Sequence, residues 1–195
     1  MLDPAILATF QGLLAEAKAS QDPEPTAMTL ATVDVAGQPS LRTVLLKDVD
    51  ARGFVFYTNY GSRKGEQILA QPRCALLFHW KWLYDGVQVN VQGSAAPVAA
   101  DEADAYFATR PLGSQAGAWA SLQSQTLDSR KTLEDRLAEV EARYAGGPIP
   151  RPQHWSGFRV APTRIEFWYG ARHRLHTRDV HEFVDGHWTE RMLYP

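Results

Sequence analysis

The chain has 195 residues, with 20 Lys plus Arg against 22 Asp plus Glu, for a formal charge of −2. That balance excludes wrapping nucleic acid or adhering to an anionic membrane through bulk charge, so any anion site must be local. The single cysteine, Cys74, excludes an intramolecular disulfide and a four-thiolate zinc site, and it fits a reducing compartment, so the expected location is cytoplasmic. No apolar run approaches the ~20 residues that span a bilayer. Met1-Leu2-Asp3-Pro4 also lacks the basic-then-apolar order of a secretory signal.

In chain order, Asp3 and Pro4 read as the N-cap and first residue of a helix that lays Ile6, Phe10, Leu13, Leu14 and Ala17 on one face and ends near Ser20. Pro23 and Pro25 break it. Met28 to Asp34 and Leu41 to Lys47 read as a hairpin around Ala36-Gly37-Gln38-Pro39. A turn from Asp48 to Gly53 leads to a strand from Phe54 to Thr58, then to a short helix capped by Ser62 and ending near Leu69. Two more strands, Cys74 to Trp80 and Val87 to Ala95, flank a loop with Asp85-Gly86. The middle is helical, near Asp101 to Thr109 and from Ser129 to Tyr144. The chain then returns to strand at Gly157 to Val160, Arg164 to Tyr169, His181 to Val184 and Trp188 to Leu193.

Short strands interrupted by a few helices, rather than alternating with them, predict a mainly β fold with peripheral helices, an antiparallel sheet closing into a barrel. One domain is expected over residues 1–195. It comprises a helix at 1–20, a barrel core at 21–99, a helical segment at 100–145 and completing strands at 153–195.

Four constellations could carry chemistry. In Arg42-Thr43-Val44-Leu45-Leu46-Lys47, strand alternation sends the two cations to opposite faces, which also suits an edge strand with solvated charges. Tyr57-Thr58-Asn59-Tyr60-Gly61-Ser62-Arg63-Lys64 runs through a glycine turn into a helix amino terminus. Free amides, hydroxyls and two cations there suit a phosphate monoester, although an ordinary capped helix looks the same. Tyr106, Arg110 and Ser114 could bind a second phosphate or merely cap a helix. Arg174 and His176, two apart, would share a strand face and present a guanidinium and an imidazole to one planar anion. Five histidines fall in the last quarter, but neighbouring arginines and the lack of carboxylates at ligand spacing argue against a metal. No Gly-x-Gly-x-x-Gly opens a helix and no Gly-x-Ser-x-Gly elbow occurs.

Taken together, Arg42 to Lys47, Phe56 to Asn59, Gly61 to Lys64, Tyr106-Phe107 with Arg110-Pro111, Ser114 to Trp119, Gln123-Ser124, and Ile165 to Trp168 with Arg174-Leu175-His176 resemble the pyridoxamine 5′-phosphate oxidase family in order and spacing. The resemblance implies an FMN-binding split antiparallel β-barrel that forms a homodimer with flavin mononucleotide (FMN) at the subunit interface. It implies FMN-dependent oxidation of pyridoxine or pyridoxamine 5′-phosphate by dioxygen to pyridoxal 5′-phosphate. By the same resemblance, Arg42, Thr43, Val44, Leu45, Lys47, Tyr57, Thr58, Ser62, Arg63, Lys64, Gln88, Gln123, Ser124, Trp168 and Arg178 contact FMN. Lys47, Tyr106, Arg110 and Ser114 clamp the substrate phosphate, and Arg174 and His176 are the catalytic pair facing the pyridine ring. Val87 stands before Gln88 where members commonly carry Arg, and the Trp80 to Gly86 loop is slightly longer than usual. An amino-terminal segment that covers substrate in many relatives is expected to be missing. The competing readings are a same-fold oxidase of another aromatic substrate, of the phenazine-pathway type, and a non-catalytic flavin or pyridoxal phosphate carrier.

Overall fold

The computed structural model describes residues 1–195. Helix α1 (Pro4–Ala19) starts where expected. Asp3 accepts a hydrogen bond from the Ala5 amide at 2.8 Å and Pro4 occupies the first turn. The five residues of its expected apolar face, Ile6, Phe10, Leu13, Leu14 and Ala17, are all buried. Phe10 reaches deepest and meets Phe54 at 4.9 Å and Phe78 at 5.0 Å, edge to face, so α1 closes one side of the core.

The strands are β1 (Ala27–Val33), β2 (Pro39–Leu45), β3 (Asp48–Asp50), β4 (Gly53–Asn59), β5 (Arg73–Trp80), β6 (Val87–Pro97), β7 (Trp155–Tyr169), β8 (Thr177–Val184) and β9 (His187–Met192). They form one sheet in the order β2-β1-β5-β6-β7-β4-β3, and β8 and β9 extend it from β7; every pairing is antiparallel. The Leu46 amide donates to Thr26 O at 2.9 Å and the next amide, Lys47, to Val55 O at 2.8 Å. The β2–β3 connection therefore ties β1 to β4 and curls the sheet into a mainly antiparallel split barrel. Helices α2 (Arg63–Ala70), α3 (Ala100–Ala108), α4 (Leu112–Ala120) and α5 (Arg130–Arg143) pack outside it. No helix is long and apolar enough to cross a membrane.

Several local expectations change. The second strand stops at Leu45, so the alternation that set Lys47 opposite Arg42 does not continue to it. Asp48 to Asp50, expected as turn, pairs with β4. Leu112–Ala120, which lies between the two helices expected in the helical segment, forms a further helix. The two strands expected at Gly157 and Arg164 are one 15-residue strand. Pro162 is tolerated inside it because it faces the register shift at Gln92/Gly93, where no ladder amide is needed from it. Gly93 makes that close approach: a Cβ there would lie 2.2 Å from Ala161 O. Val87 is fully buried with the barrel core, so its apolar side chain serves packing.

Candidate functional site

The turn from β4 into α2 is set by side chains bonding to backbone. Asn59 Oδ1 accepts from the Gly61 amide at 2.8 Å, while Ser62 Oγ donates to Asn59 O at 2.6 Å and accepts from the Gly65 amide at 3.3 Å. A Cβ on Gly65 would lie 2.4 Å from Tyr60 O, so only glycine lets the turn close this tightly. The result aims the amino terminus of α2 and its first two residues, Arg63 and Lys64, at one region. Lys64 Nζ lies 3.1 Å from Gln123 Oε1 and 3.3 Å from Thr58 Oγ1, both neutral acceptors. Burial, then the charge of Arg42, lowers its pKa.

Arg42 sits behind this group. Its guanidinium donates to Thr32 Oγ1 at 2.6 Å and to the carbonyls of Leu30 and Ser40 at 3.1 Å, and burial followed by Arg63 lowers its pKa. None of the ten ion pairs in the protein involves Arg42, Lys47, Arg63, Lys64, Arg110 or Arg174. Cations brought together with hydroxyls and a helix amino terminus, and with no carboxylate in ion-pair contact, form a donor set that fits a phosphate monoester such as that of FMN.

Beside this group lies a cavity of about 610 Å³. The structure brings eleven of the expected residues to its wall: Thr43, Val44, Leu45 and Lys47 from β2 and its exit, Tyr57, Thr58 and Lys64 from the β4–α2 turn, and Tyr106, Arg110, Ser114 and Gln123 from the helical segment. Arg42, Ser62 and Arg63 adjoin this wall without lining it, and Ser124 follows Gln123 outside it with a left-handed φ of 73°. Arg110 follows the carboxyl-terminal cap of α3 and is fixed at its carbonyl by Gln115 Nε2, 2.8 Å away. Its guanidinium is pressed on the Trp155 ring, burial lowers its pKa, and its buried Nη1 has no hydrogen-bond partner. A guanidinium at a cavity wall that has an unsatisfied donor and no acidic partner is a place for an anionic oxygen. Tyr57 and Tyr106 stack at 4.0 Å, and burial pushes the Tyr57 hydroxyl up to about 12, so it stays protonated.

Gln88, Trp168, Arg174, His176 and Arg178 lie elsewhere. Gln88 pairs with Trp168 and Trp168 with Arg178, at the far end of β7 from Trp155. Trp155 and Trp168 are separated by roughly 40 Å of strand at ~3.3 Å per residue. Arg174 and His176 do not share a strand face, because β8 begins only at Thr177. Arg174 ends a single 3₁₀ turn, and it and His173 hold left-handed φ values of 61° and 57°. Such backbone is strained for a bulky residue and persists where the surroundings impose it. His176 Nδ1 accepts from the Ala171 amide at 3.1 Å, which leaves the Nε2 proton free on the neutral ring, and the ring lies 4.5 Å from Trp168. Arg178 is held by the Glu166 carboxylate at 2.7 Å. No group of three or more His, Cys, Asp or Glu side chains could hold a metal ion.

Seven lining residues were not among the expected site residues, among them Asn59, Ser121 and Trp155. Asn59 and Ser121 are joined by a bond from Asn59 Nδ2 to Ser121 O at 3.3 Å, which only the unforeseen α4 brings into place. Trp155, after Pro150-Arg151-Pro152, carried no periodic signal.

The family model described as pyridoxamine 5′-phosphate oxidase matches residues 14–144, and one described as the pyridoxine 5′-phosphate oxidase C-terminal dimerisation region matches 155–195. The chain is 56% identical to a pyridoxine/pyridoxamine 5′-phosphate oxidase of Xanthomonas euvesicatoria over 97% of its length and 96% of the relative's. It is 55% identical to that of Myxococcus xanthus over 100% of its own length and 94% of the relative's. Among solved structures, PhzG from Burkholderia lata, in complex with tetrahydrophenazine-1-carboxylic acid, superposes with a TM-score of 0.89 at 30% identity, covering 100% of this chain and 94% of that one. A Nostoc punctiforme protein described as FMN-binding shares the fold at a TM-score of 0.76 and 16% identity. With family models over both segments and relatives more than half identical end to end, the chain belongs to the pyridoxamine 5′-phosphate oxidase family.

Proposed function

We propose that this chain oxidises pyridoxine or pyridoxamine 5′-phosphate to pyridoxal 5′-phosphate, with FMN as cofactor and dioxygen as final acceptor. The observation that carries the reading is the set of cations without acidic partners at one cavity: Lys64 at the α2 amino terminus, with Arg63 beside it, and Lys47 and Arg110 on the same cavity wall. Two phosphorylated ligands need two such groups. When bound, FMN would accept a hydride, and with it both electrons, from the 4′ carbon, and its reoxidation by dioxygen would yield hydrogen peroxide. The amine substrate also consumes water and releases ammonia.

The protein's share is placement and charge. Ser62, Arg63 and Lys64 hold the FMN phosphate, with Arg42 adding positive potential from behind. Thr43, Val44, Leu45, Tyr57, Thr58, Gln123 and Ser124 shape the cofactor's seat. Lys47, Arg110 and the hydroxyls of Tyr106 and Ser114 clamp the substrate phosphate. Arg174 orients the substrate ring and stabilises charge at its reacting end, and His176 offers its Nε2 proton to the ring or phosphate edge. Gln88, Trp168 and Arg178 complete the flavin site.

These last five residues sit at the other end of β7 and, apart from Gln88, inside the segment matched by the dimerisation-region model. That position supports a homodimer in which the tail cluster of one subunit completes the cavity of the other. A phenazine-type substrate, suggested by the PhzG likeness, would leave Lys47 and Arg110 without a phosphate to bind, and the sequence identity to PhzG is much lower. Purified protein with FMN, dioxygen and pyridoxine 5′-phosphate should form pyridoxal 5′-phosphate. Absence of turnover with either phosphorylated vitamer overturns the reading. Flavin bleaching on anaerobic mixing with substrate separates an oxidase from a carrier.

A further inference from the structure

Trp155 opens β7 and lies outside every sequence block that carries the family resemblance. Its backbone is fixed from two sides: its amide donates to Pro152 O at 3.0 Å, and its carbonyl accepts from Arg151 Nη1 at 2.8 Å. Arg151 is in turn paired with Asp104 of α3 at 2.6 Å. The indole is buried, edge-on to Phe107 at 5.0 Å and nearly parallel to Tyr57, at 5.4 Å and 7°. The Arg110 guanidinium carbon lies 4.6 Å from the indole centroid and 5.6 Å from that of Phe107.

A buried cation normally takes a carboxylate partner, which offsets its desolvation but also occupies its donor fork. Arg110 has no such partner, and its buried Nη1 bonds to nothing. An aromatic face attracts the guanidinium through the ring quadrupole while leaving the N–H groups free. It also removes rotamer freedom that the side chain would otherwise lose on binding an anion. Through Tyr57, which stacks on Tyr106, the same indole braces a second member of the phosphate clamp.

We propose that Trp155 is a positioning residue for the substrate phosphate, holding Arg110 charged, aligned and with its donors unpaired at the cavity wall. The proposal rests on the assignment of Arg110 to the substrate phosphate. A tryptophan that merely fills space would affect phosphorylated and unphosphorylated ligands alike.

The test compares dissociation constants of pyridoxal 5′-phosphate and of pyridoxal for the FMN-loaded protein. Trp155→Leu should weaken pyridoxal 5′-phosphate about tenfold and pyridoxal less than about twofold, whereas Trp155→Phe, which keeps a flat face, should recover all but about threefold. In an Arg110→Ala background, Trp155→Leu should add less than about twofold. Equal weakening of both ligands, or a full additional loss in the Arg110→Ala background, overturns the proposal. If Arg110→Ala itself leaves pyridoxal 5′-phosphate binding unchanged, the assignment of Arg110 fails and the proposal falls with it. Should Trp155→Leu not fold, Trp155→Phe carries the same comparison: a loss confined to the phosphorylated ligand supports the proposal and an equal loss for both overturns it.

Discussion

Arg63 and Arg174 are both exposed cations without an acidic partner, yet their settings assign them different work. Arg63 stands at the first position of α2, where the helix dipole disfavours a cation unless an anion is present. Arg63→Ala should lower FMN affinity about tenfold, with a smaller loss of kcat at saturating FMN. Arg174 sits on left-handed backbone at the other end of β7. Arg174→Ala should lower kcat about a hundredfold while the purified protein keeps near wild-type flavin content. Flavin absorbance per subunit and steady-state kinetics separate the two, and equal flavin loss in both variants contradicts the assignment.

The cations at the cavity were legible because their sequence neighbours, a glycine turn and a capping serine, announce a helix amino terminus. The setting of Arg174 and His176 was not. A two-residue spacing suggests a shared strand face, whereas the backbone there makes a 3₁₀ turn that no propensity announces.

At the scale of elements, most boundaries followed from capping, proline breaks and alternation, and they fell within a few residues of those observed. Two misses share a cause in tertiary contact. The Leu112–Ala120 helix has no side-chain cap and is rich in Gly, Ala and Ser, so it carries little amphipathic signal; packing against α5 and the residues around Ile149 sustains it. The continuity of β7 through Pro162 depends on the bulge at Thr163, the extra residue that β7 sets against Gln92 and Gly93 of β6, which only the pairing reveals. Gly65 is the position where an element's start and the site's shape are one problem. Gly65→Ala would drive a methyl into the Tyr60 and Asn59 carbonyls at 2.4 and 2.7 Å. The turn must open, so stability should fall by about 2–3 kcal/mol, and FMN affinity should fall with it because the α2 amino terminus moves. Urea unfolding and flavin titration of this variant check both effects, and an unaltered flavin affinity would show that the turn is not the phosphate seat.

For the molecule as a whole, a charge ladder binds the carboxyl-terminal strands together. Arg178, Glu166, Arg164, Glu182 and Arg191 alternate across β7, β8 and β9. Burial alone would raise the pKa of Glu166, but hydrogen bonds from Arg178 and then Arg164 outweigh it and hold the carboxyl below its usual range. Its contribution is therefore present above the unfolded pKa of about 4.5 and is lost as pH falls through the lower folded value. Glu166→Gln should cost about 2 kcal/mol at pH 7, and the difference from wild type should shrink in acid, as denaturation midpoints at pH 7 and pH 4 would show. A difference that does not change with pH would mean that the ladder contributes through packing rather than charge.

The length of β7 carries a genetic consequence. In the proposed homodimer, its head, near Trp155, and its tail, near Trp168, would belong to different working centres related by a twofold axis. A chain defective only at the head and a chain defective only at the tail should then rescue each other. Arg110→Ala and Arg174→Ala proteins, each nearly inactive alone, should regain about a quarter of wild-type turnover when dissociated, mixed in equal amounts and reassociated, because half of the random pairs hold one intact centre. No recovery in verified hybrid dimers would place both clusters' work within a single subunit. One uninterrupted strand would thus make two crippled alleles complementary.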